Sequence, residues 1–500
     1  AKSLGPLNLL LLGVGAIIGA GIYVMTGSAA AHFAGPAVLI SFIVAGTACA
    51  FAGLCYAELA STMPVTGSAY VYAYATLGEL VAWILGWLLV LEYAVAGATV
   101  AVGFSGYLVS LLASFGVSVP ASISTPFVQS ISAPGGYDFI AGGGVNVLAI
   151  VAVLIMATPL IFGVRQSAAI NSSIVALKVV VLLAFVAFGA SAVIPDNWVP
   201  FIPENEGGFA YGWPGIFRAA SVIFFAYLGF ETVSTAAAEA RNPQRDVPVG
   251  ILGSLLLCTI LYIAVAVVLT GIVPYRTLNV ADPLAVAVDA IGKPWLLLFV
   301  KIGAVIGLTS ILLSTCYAQS RVFYAMARDG LLPKMFSALH PRYKTPWLGT
   351  IVIAIGMALA AGLLPITLLG DLISLGTATS FAIVCFSVIW LRNAAPEMHR
   401  PFRVPFGGVR IAGKWIGVVP ALGMVMCLVM VAPLAIDIVE KAIEGNILPA
   451  SLLLGYMACG GIIYAAYGRR HSRLGRGEEP RATPPADLDP TAPIDPVIQR

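Results

Sequence analysis

Charge is what this 500-residue chain has least of. Asp, Glu, Lys and Arg make up 10% of it, against 60% hydrophobic residues and a mean hydropathy of +0.97. A soluble domain carries about 25% charged residues, so a surface that faces water all round is excluded. Histidine is scarce as well: His32, His340, His399 and His471 are scattered and form no pair with metal-ligand spacing. The seven cysteines (Cys49, Cys55, Cys258, Cys316, Cys385, Cys427, Cys459) fall singly inside apolar stretches, which argues against a disulfide framework or a zinc site. No phosphate-binding Gly-x-x-x-x-Gly-Lys loop, His-Glu-x-x-His helix or nucleophile elbow occurs. Those absences count against an ATP-driven pump, an intramembrane protease or any other enzyme, and no metal or cofactor is expected. The net charge of +3 comes with no basic patch interleaved with aromatics, so nucleic acid is not an expected partner.

What is present is length in hydrocarbon. Apolar stretches of about 20 residues, enough to span a bilayer core, recur at 7–32, 36–62, 80–112, 145–163, 171–194, 213–237, 248–273, 295–320, 347–364, 366–391, 415–436 and 447–467. Lys and Arg favour cytoplasmic loops. With the N-terminus inside, Lys2, Arg165, Arg241, Arg245, Arg321, Arg328 and the cations of 392–414 all face the cytoplasm. Only Arg276, Lys293 and Lys441 fall outside. Both termini are therefore expected in the cytoplasm, and the chain in the plasma (inner) membrane. Residues 468–500 turn Arg-rich and then Pro-rich and read as a disordered cytoplasmic tail. The outer stretch 113–144 is rich in Ser, Gly and Pro and is placed over the external face, with no chemistry assigned.

Two stretches carry glycine where an unbroken helix is expected: residues 13–22, with Gly13, Gly15, Gly19 and Gly21, and residues 224–231, with Gly229 and then Glu231. Backbone polar groups in hydrocarbon must be satisfied, so a broken helix is tolerated only beside a cavity or within protein. A break exposes N–H groups on one half-helix and carbonyls on the other, a pair of surfaces suited to a zwitterion. Gly15-x-x-x-Gly19 also fits a small-residue helix contact. The breaks open two groups of five segments, at about 7–194 and 213–391. An odd number of crossings makes two such groups inverted copies, and matching interruptions in two halves point to a binding site. Segments at about 415–467 are two extra helices. The expectation is an all-α polytopic membrane protein in which 1–467 form a single transporter domain.

Several side chains sit where they are costly. Glu231 costs ~2.5–3.5 kcal/mol on insertion scales. Lys178 lies about two turns into the fifth segment, where an ammonium must snorkel, pair or lose its proton. Glu92, deep in the third segment, either bonds between helices, is protonated, or attracts a basic substrate side chain; Glu58 is placed nearer the interface. Thr309, Ser310, Ser314 and Thr315 in the eighth segment either bond back to their own helix or line the cavity. Phe225 reads equally as a gate or as core.

Residues 12–24 resemble the first helix of the amino acid–polyamine–organocation (APC) superfamily. Phe-Phe-Ala-Tyr-Leu-Gly-Phe-Glu from Phe224, Arg-Asn-Pro-Gln-Arg-Asp-Val-Pro from Arg241, Arg-Asp-Gly-Leu-Leu-Pro from Arg328 and Arg-Pro-Phe-Arg-Val-Pro from Arg400 resemble its cationic amino acid transporter family, in a prokaryotic form. The resemblance runs from about residue 4 to 467. It implies twelve transmembrane helices in a five-plus-five inverted repeat, with helices one and six broken, and alternating access for amino acids. It also implies that the backbone at Ile17, Gly19, Ala20 and Gly21 holds the substrate carboxylate, and that carbonyls of Phe225, Ala226 and Leu228 hold the amino group. Lys178 falls on the family's lysine at a former sodium site, with carbonyls of the first helix and hydroxyls of the eighth, such as Thr309 and Ser310, as its partners. Sodium-independent, proton-coupled uptake follows from that placement. Ala20 stands where many relatives carry a hydroxyl residue, and Glu231 where many carry aspartate. The expected function is a proton-coupled amino acid importer. An exchanger on the same fold is the nearest alternative, and a non-transporting amino acid sensor a remote one. Expected partners are an L-amino acid, a proton and the lipid bilayer; the sequence leaves the substrate side chain and the oligomeric state open.

Overall fold

A computed structural model describes residues 4–63, 69–133, 136–163, 168–237 and 240–476. Lys2, Arg165 and the Pro-rich part of the predicted tail lie outside the described residues. Twelve helices carry the architecture: α1 (Pro6–Ile17), α2 (Val38–Thr62), α3 (Glu79–Ser114), α4 (Val147–Ile161), α5 (Ala168–Gly189), α6 (Gly212–Ile223), α7 (Pro243–Ile272), α8 (Pro294–Arg328), α9 (Trp347–Leu363), α10 (Ile366–Ala394), α11 (Val418–Ile443) and α12 (Leu448–Ile463). Among the described residues nine helical stretches are long and apolar enough to cross a membrane, while α1, α4 and α9 are shorter apolar helices. The protein is thus an all-α polytopic membrane protein. Helix starts follow local chemistry. Proline, whose missing N–H is no loss in a first turn, opens α1, α7 and α8. Asn146 caps α4 by accepting from the Ala149 N–H at 3.1 Å.

Small residues set the helix crossings, as packing in lipid favours. Gly303 and Gly307, one turn apart on α8, lie against Val181 and Lys178 of α5. Gly97 of α3 receives Met357 of α9. Helix α8 extends past its expected end at 320 to Arg328, and α10 past 391 to Ala394. The predicted tail begins too early: residues 464–471 continue α12 as helix, and Leu474–Arg476 add a further turn.

The outer stretch has a structure. Val128–Ala133 (β1) pairs antiparallel with Gly136–Ala141 (β2), setting Ser132 opposite Tyr137. Tyr137 is buried and enters a charge cluster at one end of the bundle. There Arg218 of α6, fully buried, donates to both carboxylate oxygens of Asp371 of α10 (3.0 and 2.9 Å) and to Asp437 of α11 (2.7 Å). Lys441 also donates to Asp437 at 2.8 Å, and the Tyr137 hydroxyl donates to Asp371 at 2.6 Å. The Arg218 guanidinium lies 4.7 Å from the Phe33 ring centroid, which ties in the end of the first segment.

The other end is closed by a second cluster. Glu58 of α2 pairs with Arg392 of α10, accepts from the Val404 N–H at 2.7 Å and lies 3.8 Å from Arg400 Nε. Arg400 donates to the carbonyls of Leu391, Ala395, Pro396 and Met398, capping the end of α10. Glu58 is therefore 2% exposed and fully engaged near the end of α2. Beyond it Gly408–Ile411 (β3) and Lys414–Gly417 (β4) form a hairpin, with Arg392 over the Trp415 ring at 4.1 Å.

Candidate functional site

The first interruption falls where the glycines stand. Helix α1 ends as Ile18 turns extended (ψ 100°), and a π-helical turn begins at Gly21. Ile22 and Tyr23 both donate to the Gly19 carbonyl, at 3.2 and 3.3 Å. Among the described residues the N–H groups of Gly19, Ala20 and Gly21 donate to no backbone carbonyl. Three adjacent donors at a helix start make an anion site by geometry and dipole together.

The second interruption mirrors it. Helix α6 passes through a 3-10 turn at Phe224–Tyr227, Leu228 turns extended (ψ 135°), and Gly229 takes φ +120°, a conformation closed to other residues without strain. Glu231 folds back so that its Oε2 accepts from the Gly229 N–H at 2.8 Å, while the Tyr93 hydroxyl lies 3.4 Å from Oε1. The carboxylate thus fills the donor end of this break, and the carbonyl end stays available. Phe225 O accepts from the Leu228 N–H, and Ala226 O from the Tyr262 hydroxyl at 3.2 Å. A carbonyl has two lone pairs, so each can take a further donor.

The two breaks touch. A methyl on Gly21 would collide with Ala226, and one on Gly229 would sit 2.6 Å from the Ala16 carbonyl. The Tyr262 hydroxyl bridges them, 2.9 Å from Ile17 O and 3.2 Å from Ala226 O. Ile17, Ala20, Phe225, Ala226, Leu228 and Glu231 are all less than a tenth exposed, so the site is enclosed in this conformation.

Lys178 belongs to this centre. It is 1% exposed, and its ammonium donates to the Gly15 carbonyl at 3.0 Å, so it does not snorkel. The Gly307 backbone passes its stem, and Gly15 itself packs on Val175. The two glycines of Gly15-x-x-x-Gly19 thus have different surroundings. Gly15 is a helix contact, and Gly19 opens the break with Ile311 of α8 in ordinary contact beyond it (3.5 Å for an added Cβ).

The eighth-helix hydroxyls fare differently. Thr309 donates to Val305 O at 2.7 Å and Ser310 to Gly307 O at 3.0 Å, each back to its own helix. Ser314, expected at the site, is exposed and donates to Ser310 O at 2.9 Å. Thr315 lies near Gly97, between α8 and α3. Glu92 is fully buried, and among the described residues neither of its oxygens has a hydrogen-bond partner. It lies close enough to Glu231 for their charges to interact.

Sequence reasoning missed Tyr262, Tyr93 and Ile311. A signal existed for the tyrosines, since a phenol inside an apolar run needs a polar partner. For Ile311 there was none.

Residues 4–459 match the profile of a family described as amino acid permease. The chain is 41% identical over 476 residues to the methylthioribose transporter of Bacillus subtilis (strain 168), covering 95% of both chains. It is 40% identical over 474 residues to the branched-chain amino acid permease BcaP of the same organism, covering 95% of this chain and 94% of that one. The vacuolar cationic amino acid transporter 4 of Arabidopsis thaliana is 38% identical over 398 residues, 79% of this chain and 64% of the plant protein.

Proposed function

The chain belongs to the amino acid permease family, and from that premise we propose a secondary active importer of amino acids, driven by protons rather than sodium and working by alternating access. The observation that carries the coupling is the buried Lys178 ammonium on the Gly15 carbonyl, 3.0 Å away. A fixed or exchangeable positive charge there takes the place a sodium ion would need, and it is bonded to Gly15, two residues before α1 ends at Ile17. Proton loss from Lys178 removes the charge that strengthens its bond to Gly15 O, so protonation and the hold on the first break change together.

In this reading the free N–H groups of Gly19, Ala20 and Gly21 take the substrate carboxylate, with Ile17 at the end of α1 beside them. The second lone pairs of Phe225 O and Ala226 O, with Leu228 O, take the ammonium. Glu231 holds the second break in shape through Gly229. Thr309 and Ser310 border Lys178, Thr315 belongs to the wall, and Glu92 sits behind Glu231. Twelve crossings in two inverted groups of five, an inner-membrane location and cytoplasmic termini complete the proposal, supported by the Lys/Arg bias.

The test is uptake into liposomes containing the purified protein. An imposed pH gradient should drive accumulation without sodium, and Lys178→Gln or Lys178→Ala should abolish it while leaving counterflow exchange measurable. Undiminished driven uptake by these variants would sink the coupling role. Exchange without any pH-driven accumulation by the wild type would establish the antiporter, and no flux at all the sensor. Competition by the twenty L-amino acids identifies the side chain. Methylthioribose belongs in the same screen, because a relative is named for it and it has neither group of the zwitterion.

A further inference from the structure

His32 stands beside the Arg218 cluster, and the transport reading gives it no role. It lies in the helical turn Ala30–Ala34 at the end of the first segment and is 6% exposed. Its ring meets the Tyr137 ring edge-on at 5.3 Å and the Phe33 ring at 6.1 Å. The same two rings carry the cations of the cluster. Arg218 lies over Phe33 at 4.7 Å, and Lys441 over Tyr137 at 4.5 Å. Gly136 packs so closely on Phe33 that an added Cβ would sit 2.6 Å from its ring, so the β1–β2 hairpin and the turn are in tight contact. His32 Nε2 is buried and, among the described residues, has no hydrogen-bond partner.

The charges that reach this ring have one sign. Helix α6 brings Arg218 to the turn and α11 brings Lys441 over Tyr137, and these two cations are near enough to act on the imidazole. Strand β2 brings Tyr137 and Asp138, and Asp138 is held by Asn446 and the Phe139 N–H. The turn Tyr275–Leu278 brings Tyr275 and Arg276, with Arg276 paired to Glu206. The Tyr211 hydroxyl donates to Ala31 O, and α2 has its one charged residue, Glu58, in the cluster at the other end. Asp371 and Asp437 are already bonded to Arg218, Tyr137 and Lys441. The Asn279 side chain and the Gly136 backbone lie within reach of the ring, but neither brings a negative charge. With His32 neutral, two cations face two carboxylates. A proton on His32 sets three cations against the same two carboxylates in a buried site, where like charges repel strongly. Water solvates the charged ring once the turn and the hairpin part.

We propose that His32 is a proton-operated latch: the neutral ring lets the Arg218 cluster close, and protonation opens that end of the bundle. The latch rests on the alternating-access reading only in supposing that the cluster opens, and it does not require protons to drive uptake. Its test therefore reads opening and not transport. Full-length protein in lipid nanodiscs is followed by hydrogen–deuterium exchange between pH 8 and pH 5, with rates corrected for the intrinsic effect of pH. In water an imidazole titrates at about pH 6.5. One proton taken up on opening shifts the closed-to-open ratio by up to about tenfold per pH unit. Exchange in the turn Ala30–Ala34 and in the β1–β2 hairpin should be slow at pH 8 and at least about tenfold faster at pH 5. The β3–β4 hairpin at the other end should keep its rate, which separates opening from unfolding. His32→Gln and His32→Phe remove the titrating ring and should exchange slowly at both pH values. His32→Arg fixes the charge and should exchange fast even at pH 8. A wild-type rate that ignores pH would overturn the proposal, and so would neutral variants that still speed up at pH 5. Acceleration of both hairpins together would overturn it too, because the whole bundle would then be loosening. Absence of pH-driven uptake beside the expected exchange would count against the importer and leave the latch standing.

Discussion

Replacing Arg218 with methionine removes the cation shared by two buried carboxylates. The side chains of Arg218, Asp371 and Asp437 are 0%, 5% and 12% exposed. Asp437 would keep Lys441, but Asp371 would keep only the Tyr137 hydroxyl. Breaking a buried pair from one side costs about 3–5 kcal/mol, because the remaining charge is stranded. The lost stacking over Phe33 adds about 0.5–2 kcal/mol. All of this falls on the closure at that end of the bundle, since the cluster joins α6, α10, α11, the β1–β2 hairpin and the end of the first segment. At 1.4 kcal/mol per tenfold, even 3 kcal/mol moves a closed-to-open ratio by roughly two orders of magnitude. Ala34, 1% exposed beside Phe33, reports on that opening as Ala34→Cys. A membrane-impermeant maleimide applied from outside should label it at least tenfold faster in the Arg218→Met background. Adding Asp371→Asn removes the stranded charge and should slow labelling again. Unchanged labelling in Arg218→Met, with the melting temperature lowered, would show a static brace and refute the reasoning that the cluster seals one state.

Gly229→Ala places a methyl 2.6 Å from the Ala16 carbonyl at a φ of +120°, a backbone strain of about 1–3 kcal/mol before any clash. Substrate binding, measured by equilibrium dialysis, should fall at least 100-fold. Tyr262→Phe deletes one interhelical hydrogen-bond donor, worth about 0.6–1.7 kcal/mol in membranes, and should weaken binding roughly 3- to 20-fold with the melting temperature little changed. Glu58→Gln leaves Arg392 and Arg400 without their carboxylate and should lower stability by about 1.5–3 kcal/mol. Limited proteolysis should then cut between 395 and 417 in the variant before the wild type.

The two breaks were legible because hydrocarbon makes glycine and charge conspicuous. Gly19, Gly21 and Gly229 stand in otherwise unbroken apolar runs, and Glu231 is too costly to be incidental. The placement of Lys178 against the first helix was implied by resemblance. Its specific partner, Gly15 O, was not, because 163 residues separate them and no local pattern records a crossing point. Tyr262 was hidden for the same reason: it reaches Ile17 across 245 residues. The outer stretch gave a composition and no chemistry, since Tyr137 acquires its role from Arg218 and Asp371 on two distant helices.

Helix α10 takes part in both closing clusters. Asp371 near one end holds Arg218, and Arg392 near the other holds Glu58. The 21 residues between them span about 31 Å at 1.5 Å per residue, the thickness of a bilayer core. No proline interrupts this run, so a displacement at one end is carried to the other. Midway, the Phe381 ring packs on Phe224 and Phe230, on either side of the second break, at 5.7 and 5.1 Å, and on Tyr56 of α2 at 5.6 Å. A single helix therefore contacts both charge clusters and the break between them. In the proposed alternating-access cycle the two clusters must not open together. A stiff α10 pivoting about Phe381 meets that requirement, because an end that swings away from one seal presses the opposite end into the other.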